Sequence, residues 1–332
     1  MSDAVHLADH LGSRGGPEAA SLALVLTHLA RAGRTIANEL NRAALIGQLG
    51  TTGETNVQGE TVKKLDAWAN DVVVAAMADT GLVCTLVSEE IHEARHLADR
   101  CDGAPYIVSF DPVDGSSNLD VNGVVGTIFS VRRRGAHPRH AETDPLGAGT
   151  GQVAAGYIMY GPATVMVVTT GSGVDGFTLD ARTGEFALSH RTIQTPMRGK
   201  TYSVNEGNTS RWTAPVRRYI EYLQTPDSAT GRPYAARYVG SLVADVHRTL
   251  LDGGVFLYPG EARGPRADGK LRLLYEAAPM ALIAEQAGGR ASTGTRRILE
   301  IEASSLHQRV PLIIGSRDDV TAAEDFIAGR RG

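Results

Sequence analysis

One stretch limits the possible folds more than any other. Tyr106-Ile-Val-Ser-Phe110 has the pattern of a strand, and it runs without a break into Asp111-Pro-Val-Asp114-Gly-Ser-Ser-Asn118. Asp111 and Asp114 therefore stand at the carboxyl end of a strand, where α/β folds place ligands. Pro112 fixes the backbone between them. Gly115 permits a tight turn and the close approach of an anion. Ser116 and Ser117 add hydroxyl and amide donors. Carboxylates beside such a turn suit a hard cation, magnesium in particular, paired with a phosphate: the acids hold the metal and the turn donors hold phosphate oxygens. Taken alone, the segment also fits an Asx-type surface loop.

Two further acidic segments bear on that choice. Thr85-Leu-Val-Ser88-Glu89-Glu90 is a second strand pattern that ends in carboxylates. Adjacent like charges repel unless they share a cation, although Ser88 could equally cap a helix whose dipole favours both acids. Glu276 precedes Pro279 by three residues, which places it near a helix N-terminus, a position that favours an acid with or without a ligand. Together Glu89, Glu90, Asp111, Asp114 and Glu276 supply carboxylates from three segments. Magnesium takes only one or two protein carboxylates per ion, so this set fits two or more ions. Such a cluster can clamp the attacking and leaving oxygens of an in-line displacement.

Periodicity organises the rest of the chain. Leu22, Val25, Leu26, Leu29, Ile36 and Leu40 share one helical face, so residues 21–45 read as an amphipathic helix with Ser21 as N-cap and Pro17 ahead of it. A second helix is expected over residues 61–80, ending at Gly81. Short strands are expected at Val83–Val87, Tyr106–Phe110, Ile128–Arg132, Ala154–Tyr160, Thr164–Thr170 and Phe177–Leu179, with a surface loop at 135–151. Beyond residue 190 helix and strand alternate: helices at Val216–Leu223, Leu242–Leu251 and Leu273–Gln286, strands at Val255–Tyr258 and Leu312–Ile314, and a last helix. The fold class is α/β with mixed sheets. The expected division is 1–195, a metal-site and effector domain, and 196–332, a sugar-phosphate-binding domain.

Composition excludes several classes. The 332 residues carry a formal net charge of −4 and no basic block, which argues against a nucleic-acid surface. Arg132 to Arg134 reads as a solvated loop end. No apolar run is long enough to cross a bilayer, and the first residues lack the apolar region of a signal peptide. Cys84, in an apolar run, and Cys101, in a polar turn, are too few for a disulfide framework. A cytoplasmic protein without membrane or nucleic-acid partners is expected. Gly171-Ser-Gly173-Val-Asp-Gly176 imitates a dinucleotide fingerprint, but a strand pattern follows it, so a hairpin turn is expected. Gly264 to Lys270 imitates a phosphate-binding loop, but Leu271 stands where that motif needs a hydroxyl.

These residues resemble class I fructose-1,6-bisphosphatase over about residues 20–330. Beside Val87-Ser-Glu-Glu90 and the 111–118 segment stand Asn56-Val-Gln-Gly-Glu60-Thr-Val-Lys-Lys-Leu-Asp66 and Asn205-Glu206-Gly207. The others are Arg237-Tyr-Val-Gly-Ser-Leu-Val-Ala-Asp-Val-His-Arg-Thr249, Phe256-Leu-Tyr-Pro259 and Lys270-Leu-Arg-Leu-Leu-Tyr-Glu276. The resemblance implies a layered αβαβα sandwich and hydrolysis of a sugar bisphosphate, with sedoheptulose 1,7-bisphosphate as an alternative to the fructose ester. A non-catalytic sugar-phosphate or magnesium sensor is the reading from another class.

Under the resemblance Glu89, Glu90, Asp111, Asp114, Glu276 and the Val113 carbonyl bind Mg2+, with Mn2+ a substitute. Asp66, helped by Glu60, activates water. Asp114, Gly115, Ser116 and Ser117 meet the reacting phosphate, and the helix start after the 111–117 segment offsets its charge. Asn205, Tyr238, Tyr258 and Lys270 hold the second phosphate and sugar. Arg237 reaches into a neighbouring subunit of a homotetramer. Three positions depart from the family pattern. Glu60 stands where Asp is commoner, Asn208 follows Gly207 where many members have Tyr, and Gly15 to Ala20 with Pro105 differ from AMP-inhibited members, although Tyr106 and Arg133 are retained.

Overall fold

The structure, a computed structural model, describes residues 5–13, 16–55, 61–97, 103–135 and 145–331. A short helix α1 (Leu7–Gly12) precedes the long α2 (Pro17–Leu40). β1 (Thr51–Thr55) and β2 (Thr61–Lys63) form a hairpin that leads into α3 (Lys64–Thr80). There follow β3 (Val83–Ser88), β4 (Arg95–His96), β5 (Tyr106–Asp114), β6 (Val125–Arg133), β7 (Gln152–Tyr160), β8 (Thr164–Thr169), β9 (Val174–Asp180) and β10 (Glu185–His190).

The later residues give β11 (Thr201–Ser203), α4 (Ala214–Gln224), β12 (Ala235–Ala236), α5 (Leu242–Asp252), β13 (Val255–Tyr258) and β14 (Leu271–Arg272). A π-helical turn (Leu273–Ala277) then enters α6 (Ala278–Gln286), followed by β15 (Arg290–Ser292), β16 (Arg309–Val310), β17 (Leu312–Gly315) and α7 (Arg317–Ile327).

Two sheets separate three helical layers. The larger has the order β10-β9-β8-β7-β6-β5-β3-β4, and the smaller β12-β11-β13-β17-β15. One face of the larger sheet (Leu86, Val108, Phe129, Ile158) packs on α1, α2 and α3. Its other face (Val87, Ile128, Tyr157, Val167) meets Leu242 and Val246 of α5 and Met280 and Ile283 of α6, which also cover Phe256 and Ile314 of the smaller sheet. The far face of that sheet (Tyr202, Leu257, Ile313) is closed by Ile220 of α4 and Phe326 of α7. The layers alternate α, β, α, β, α, because each sheet is apolar on both faces and must be covered twice.

Several expected boundaries move. α2 opens at Pro17 with Gly16 as N-cap, so Ser21 lies inside the helix, its hydroxyl bonded to Glu18 O (2.9 Å) and to the Tyr106 hydroxyl (2.9 Å). The helix stops at Leu40, and residues 41–47 are turns. Residues 61–63 pair as a strand, and α3 ends where Gly81 takes φ +67°, a left-handed cap. β5 extends past Phe110 to Asp114, with a register break between Asp111 and Asp114 around Pro112, which has no amide to pair. The segment at 171–173 is the expected hairpin turn between β8 and β9. Arg132, expected in solvent, is buried; burial pulls its guanidinium down to about 10, and it donates to Gly147 O (3.2 Å). Cys84 is buried as expected, and Cys101 lies outside the described residues. No helix among the described residues is long and apolar enough to cross a membrane.

Candidate active site

β3 and β5 are the parallel neighbours in the larger sheet, so both deliver their carboxyl ends to the same edge. Ser88 lies beside Phe110, and the Glu89 amide donates to Phe110 O (3.2 Å). The chain after Glu89 turns rather than entering a helix, which removes a helix dipole as the reason for two adjacent acids. Asp111 and Asp114 stand at the end of β5, and the π-helical turn brings Glu276 to them. Carboxylate oxygens of Asp111, Asp114 and Glu276 lie within 4.8 Å of one another, all three buried. Glu89 lines the same cleft. Glu90 follows in the turn with its amide on Ser88 Oγ (3.2 Å) and is not part of the three-acid cluster.

The electrostatics follow from burial of like charges. Burial, and then Glu89, Asp114 and Glu276, push the Asp111 carboxyl well above its usual range. Burial raises Glu276 to about 8, against the pull of Arg272. Asp114 rises to about 6, because burial outweighs hydrogen bonds from the Val243 amide, the Ser241 hydroxyl and the Leu242 amide. Buried acids this close stay ionised only with a cation among them. The donors are all oxygen, and Val113 lines the cleft with its amide on Asp111 Oδ1 (3.0 Å). Such a set fits a hard divalent ion.

Asp114 has a second attachment that the sequence did not reveal. Its Oδ2 accepts from Ser241 Oγ (2.7 Å) and Val243 N (2.8 Å), and its Oδ1 from Leu242 N (3.2 Å). These are the first amides of α5. The helix start aimed at the acids is therefore α5, and not the six-residue 3-10 turn Ser116–Val121 after the acidic segment. Gly115 takes φ +75°, and a Cβ there would lie 2.7 Å from Ser241 Cβ. Only glycine lets the two segments close.

Arg272 was also missed. It is 2 % exposed, its guanidinium lies 3.2 Å from Glu89 Oε1, and its amide donates to Glu276 Oε2 (2.6 Å). The signal was an arginine inside Leu271-Arg-Leu273, four residues before the acid. Asn70 of α3 accepts from Ser88 Oγ (2.7 Å) and so fixes the residue before Glu89.

Asp66 sits in the first turn of α3. Burial raises its carboxyl to about 7, with a hydrogen bond to Ser116 pulling the other way. Its Oδ1 is buried without a hydrogen-bond partner among the described residues. Lys63, just before α3, pairs with Asp120, whose Oδ1 also accepts from Gly50 N (3.1 Å). The β1–β2 hairpin is thereby tied to the turn after Ser116. Glu60 lies outside the described residues.

The cleft has about 150 Å³ of room and continues from the acids past Gly115, Ser116 and Ser117 to Tyr238, Tyr258 and Lys270. Tyr238 is bonded to the Asn205 side chain, and burial carries its hydroxyl to about 12. Asn205 also caps its own turn by accepting from Gly207 N (3.1 Å), and it lines an adjoining pocket with Asn208, Arg266 and Tyr258. Arg237 does not line the cleft of its own chain; it donates to Ala236 O (2.8 Å). At the far end of β5 and β6, Arg133 is ion-paired with Glu18.

Comparison with known proteins bears on both halves of the fold. Residues 12–191 match the family model described as "Fructose-1-6-bisphosphatase, N-terminal domain", and residues 195–328 match "Fructose-1-6-bisphosphatase, C-terminal domain". A fructose-1,6-bisphosphatase class 1 of Chlorobium phaeovibrioides is 52 % identical over 318 residues, covering 95 % of each chain. One from Synechocystis is 47 % identical over 328 residues, covering 98 % of this chain and 92 % of the relative. The crystal structure of Leishmania major fructose-1,6-bisphosphatase in holo form superposes with a TM-score of 0.91 at 40 % identity, covering 97 % of this chain and 98 % of that one. With both domain models matched and the acid cluster lying where β5 meets the turn before α6, the chain belongs to the class 1 fructose-1,6-bisphosphatase family.

Proposed function

We propose that this chain hydrolyses the 1-phosphate of D-fructose 1,6-bisphosphate, giving fructose 6-phosphate and inorganic phosphate, with Mg2+ as its cofactor. The observation that carries the reading is the buried Asp111, Asp114 and Glu276 cluster, opening onto the donors of Gly115 to Ser117 with Lys270 in the same cleft. When bound, the divalent ions polarise the phosphoryl oxygens and acidify water. Glu89 and Glu90 complete the ligand set, with the Val113 carbonyl. Two or more ions bind per subunit, and Mn2+ substitutes.

The chain's own residues do the rest. The Gly115 amide and the Ser116 and Ser117 hydroxyls hold the reacting phosphate. Asp66, raised to about 7, takes the proton of the attacking water near neutral pH, helped by Glu60. The water oxygen bonds to phosphorus as the bond to the sugar oxygen breaks, and that oxygen takes up a proton. Asn205, Tyr238, Tyr258 and Lys270 hold the second phosphate. Arg237, which does not line its own cleft, supplies a neighbouring site in a cytoplasmic homotetramer. The chain up to residue 195 carries most of the metal site, and the remainder carries the sugar-phosphate site.

The alternative substrate is sedoheptulose 1,7-bisphosphate, which presents the same ketose 1-phosphate end to the acid cluster. Phosphate release from each substrate, with Mg2+ and with EDTA, tests both readings. Release from neither ester at saturating Mg2+ excludes catalysis and leaves a binding protein.

A further inference from the structure

Asp245 lies in the first turn of α5, and its side chain is fully buried. α5 does not need it as a cap, because Ser241 Oγ already accepts from Ala244 N (3.4 Å). The carboxylate instead turns back on the segment before the helix. Oδ1 and Oδ2 accept from Val239 N (3.0 and 3.1 Å), and Oδ2 also from Gly240 N (3.0 Å). Arg248, one turn on, is 3.8 Å away and a third exposed. A buried carboxylate is costly unless hydrogen-bonded, and here, beside Ser203 of β11, it accepts from two consecutive amides of one turn.

That turn has two functional ends. Tyr238 projects into the cleft beside Tyr258, and Ser241 holds Asp114 of the acid cluster. Gly240, at φ +84°, lets the backbone curl between them. We propose that Asp245 is a positioning residue: by pinning the Val239 and Gly240 amides it sets the sugar contact of Tyr238 and the metal-site contact of Ser241 in a single movement. Its kinetic readouts rest on the phosphatase reading above; its exchange readout does not.

The test is Asp245→Asn in the full-length chain. The carboxamide keeps the shape but removes the charge and one acceptor. The bisphosphate KM rises at least about tenfold and the Mg2+ concentration for half activity at least about threefold, while kcat of the folded fraction stays within about threefold. A residue that served only stability would lower the active fraction and leave KM and the Mg2+ requirement at wild-type values; that result overturns the proposal. Hydrogen exchange at Val239 and Gly240 reads the same turn without turnover. It speeds up at least about tenfold in the variant, and wild-type protection there overturns the proposal even if no substrate is hydrolysed. Should Asp245→Asn fail to fold, Ser241→Ala isolates one arm: the Mg2+ requirement rises and the sugar KM does not. An unchanged Mg2+ requirement in Ser241→Ala also overturns it.

Discussion

Ser241 Oγ donates a 2.7 Å hydrogen bond to Asp114 Oδ2, so an acid of the larger sheet and the N-cap of α5 are held by the same proton. Asp114 is thus both a candidate metal ligand and an acceptor for a helix start. Asp114→Ala abolishes phosphate release at any practical Mg2+ concentration. It also strands the Ser241 hydroxyl and the Leu242 and Val243 amides, costing about 1–3 kcal/mol in urea unfolding. Substantial turnover in that variant would refute the metal-cluster assignment.

Gly115→Ala probes the same junction from the backbone. The added methyl would lie 2.7 Å from Ser241 Cβ, at a φ that alanine rarely adopts. The site must open for the variant to fold. kcat/KM falls by about a hundredfold or more, equivalent to about 3 kcal/mol of transition-state stabilisation, with circular dichroism unchanged. A variant with wild-type kinetics would show that β5 and α5 need not touch here.

The raised acids give a pH dependence of definite sign. Asp114, Asp66 and Glu276 have folded-state values of about 6, 7 and 8, all above their unfolded values. Such groups lend stability below the unfolded values and lose it as pH rises through the folded ones. His247, held by burial down to about 4, works in the opposite direction up to its ordinary value of 6.5. Above that value the acids prevail. In EDTA, Tm falls between about pH 6.5 and 8. Mg2+ needs the ionised acids, so its stabilising effect grows over the same window. Thermal unfolding with and without Mg2+ at a series of pH values checks this, and an Mg2+ effect independent of pH would contradict it.

Arg272 is the cation built into the acid cluster. Arg272→Met leaves Glu89 without its buried partner. In EDTA near pH 8 the variant loses about 3 kcal/mol of stability by chemical denaturation. The loss shrinks near pH 5, where Asp114 and Glu276 are protonated and repel Glu89 less, and added Mg2+ restores part of it. A variant as stable as wild type at pH 8 in EDTA would show that the guanidinium does not offset the cluster's charge.

The sequence made the elements legible where one apolar run fills one strand. Val255–Tyr258 is observed end to end as expected. Ends were less legible where tertiary pairing prolongs a strand: β5 continues through a proline because β6 pairs with Asp111 and again with Asp114. Within the site, Asp111 and Asp114 were readable because they stand at the carboxyl end of a strand beside a Gly-Ser-Ser turn, whereas Glu276, at a helix start that favours any acid, was readable only together with them. Ser241, Arg272 and Asp245 were not. Each looks ordinary in its own segment, a helix cap, a basic residue and a first-turn acid. What makes them matter lies elsewhere in the chain or in a backbone turn that no periodicity encodes.

The separation of the acids along the chain also orders events during synthesis. β3 and β5 emerge early and complete one edge of the larger sheet, but α5 and Glu276 follow only after β10 and β11. Chains build from the N-terminus and fold as units. An incomplete chain therefore presents Asp111 and Asp114 without Ser241, Arg272 or Glu276. The three-acid cluster is complete only once Glu276 has been made.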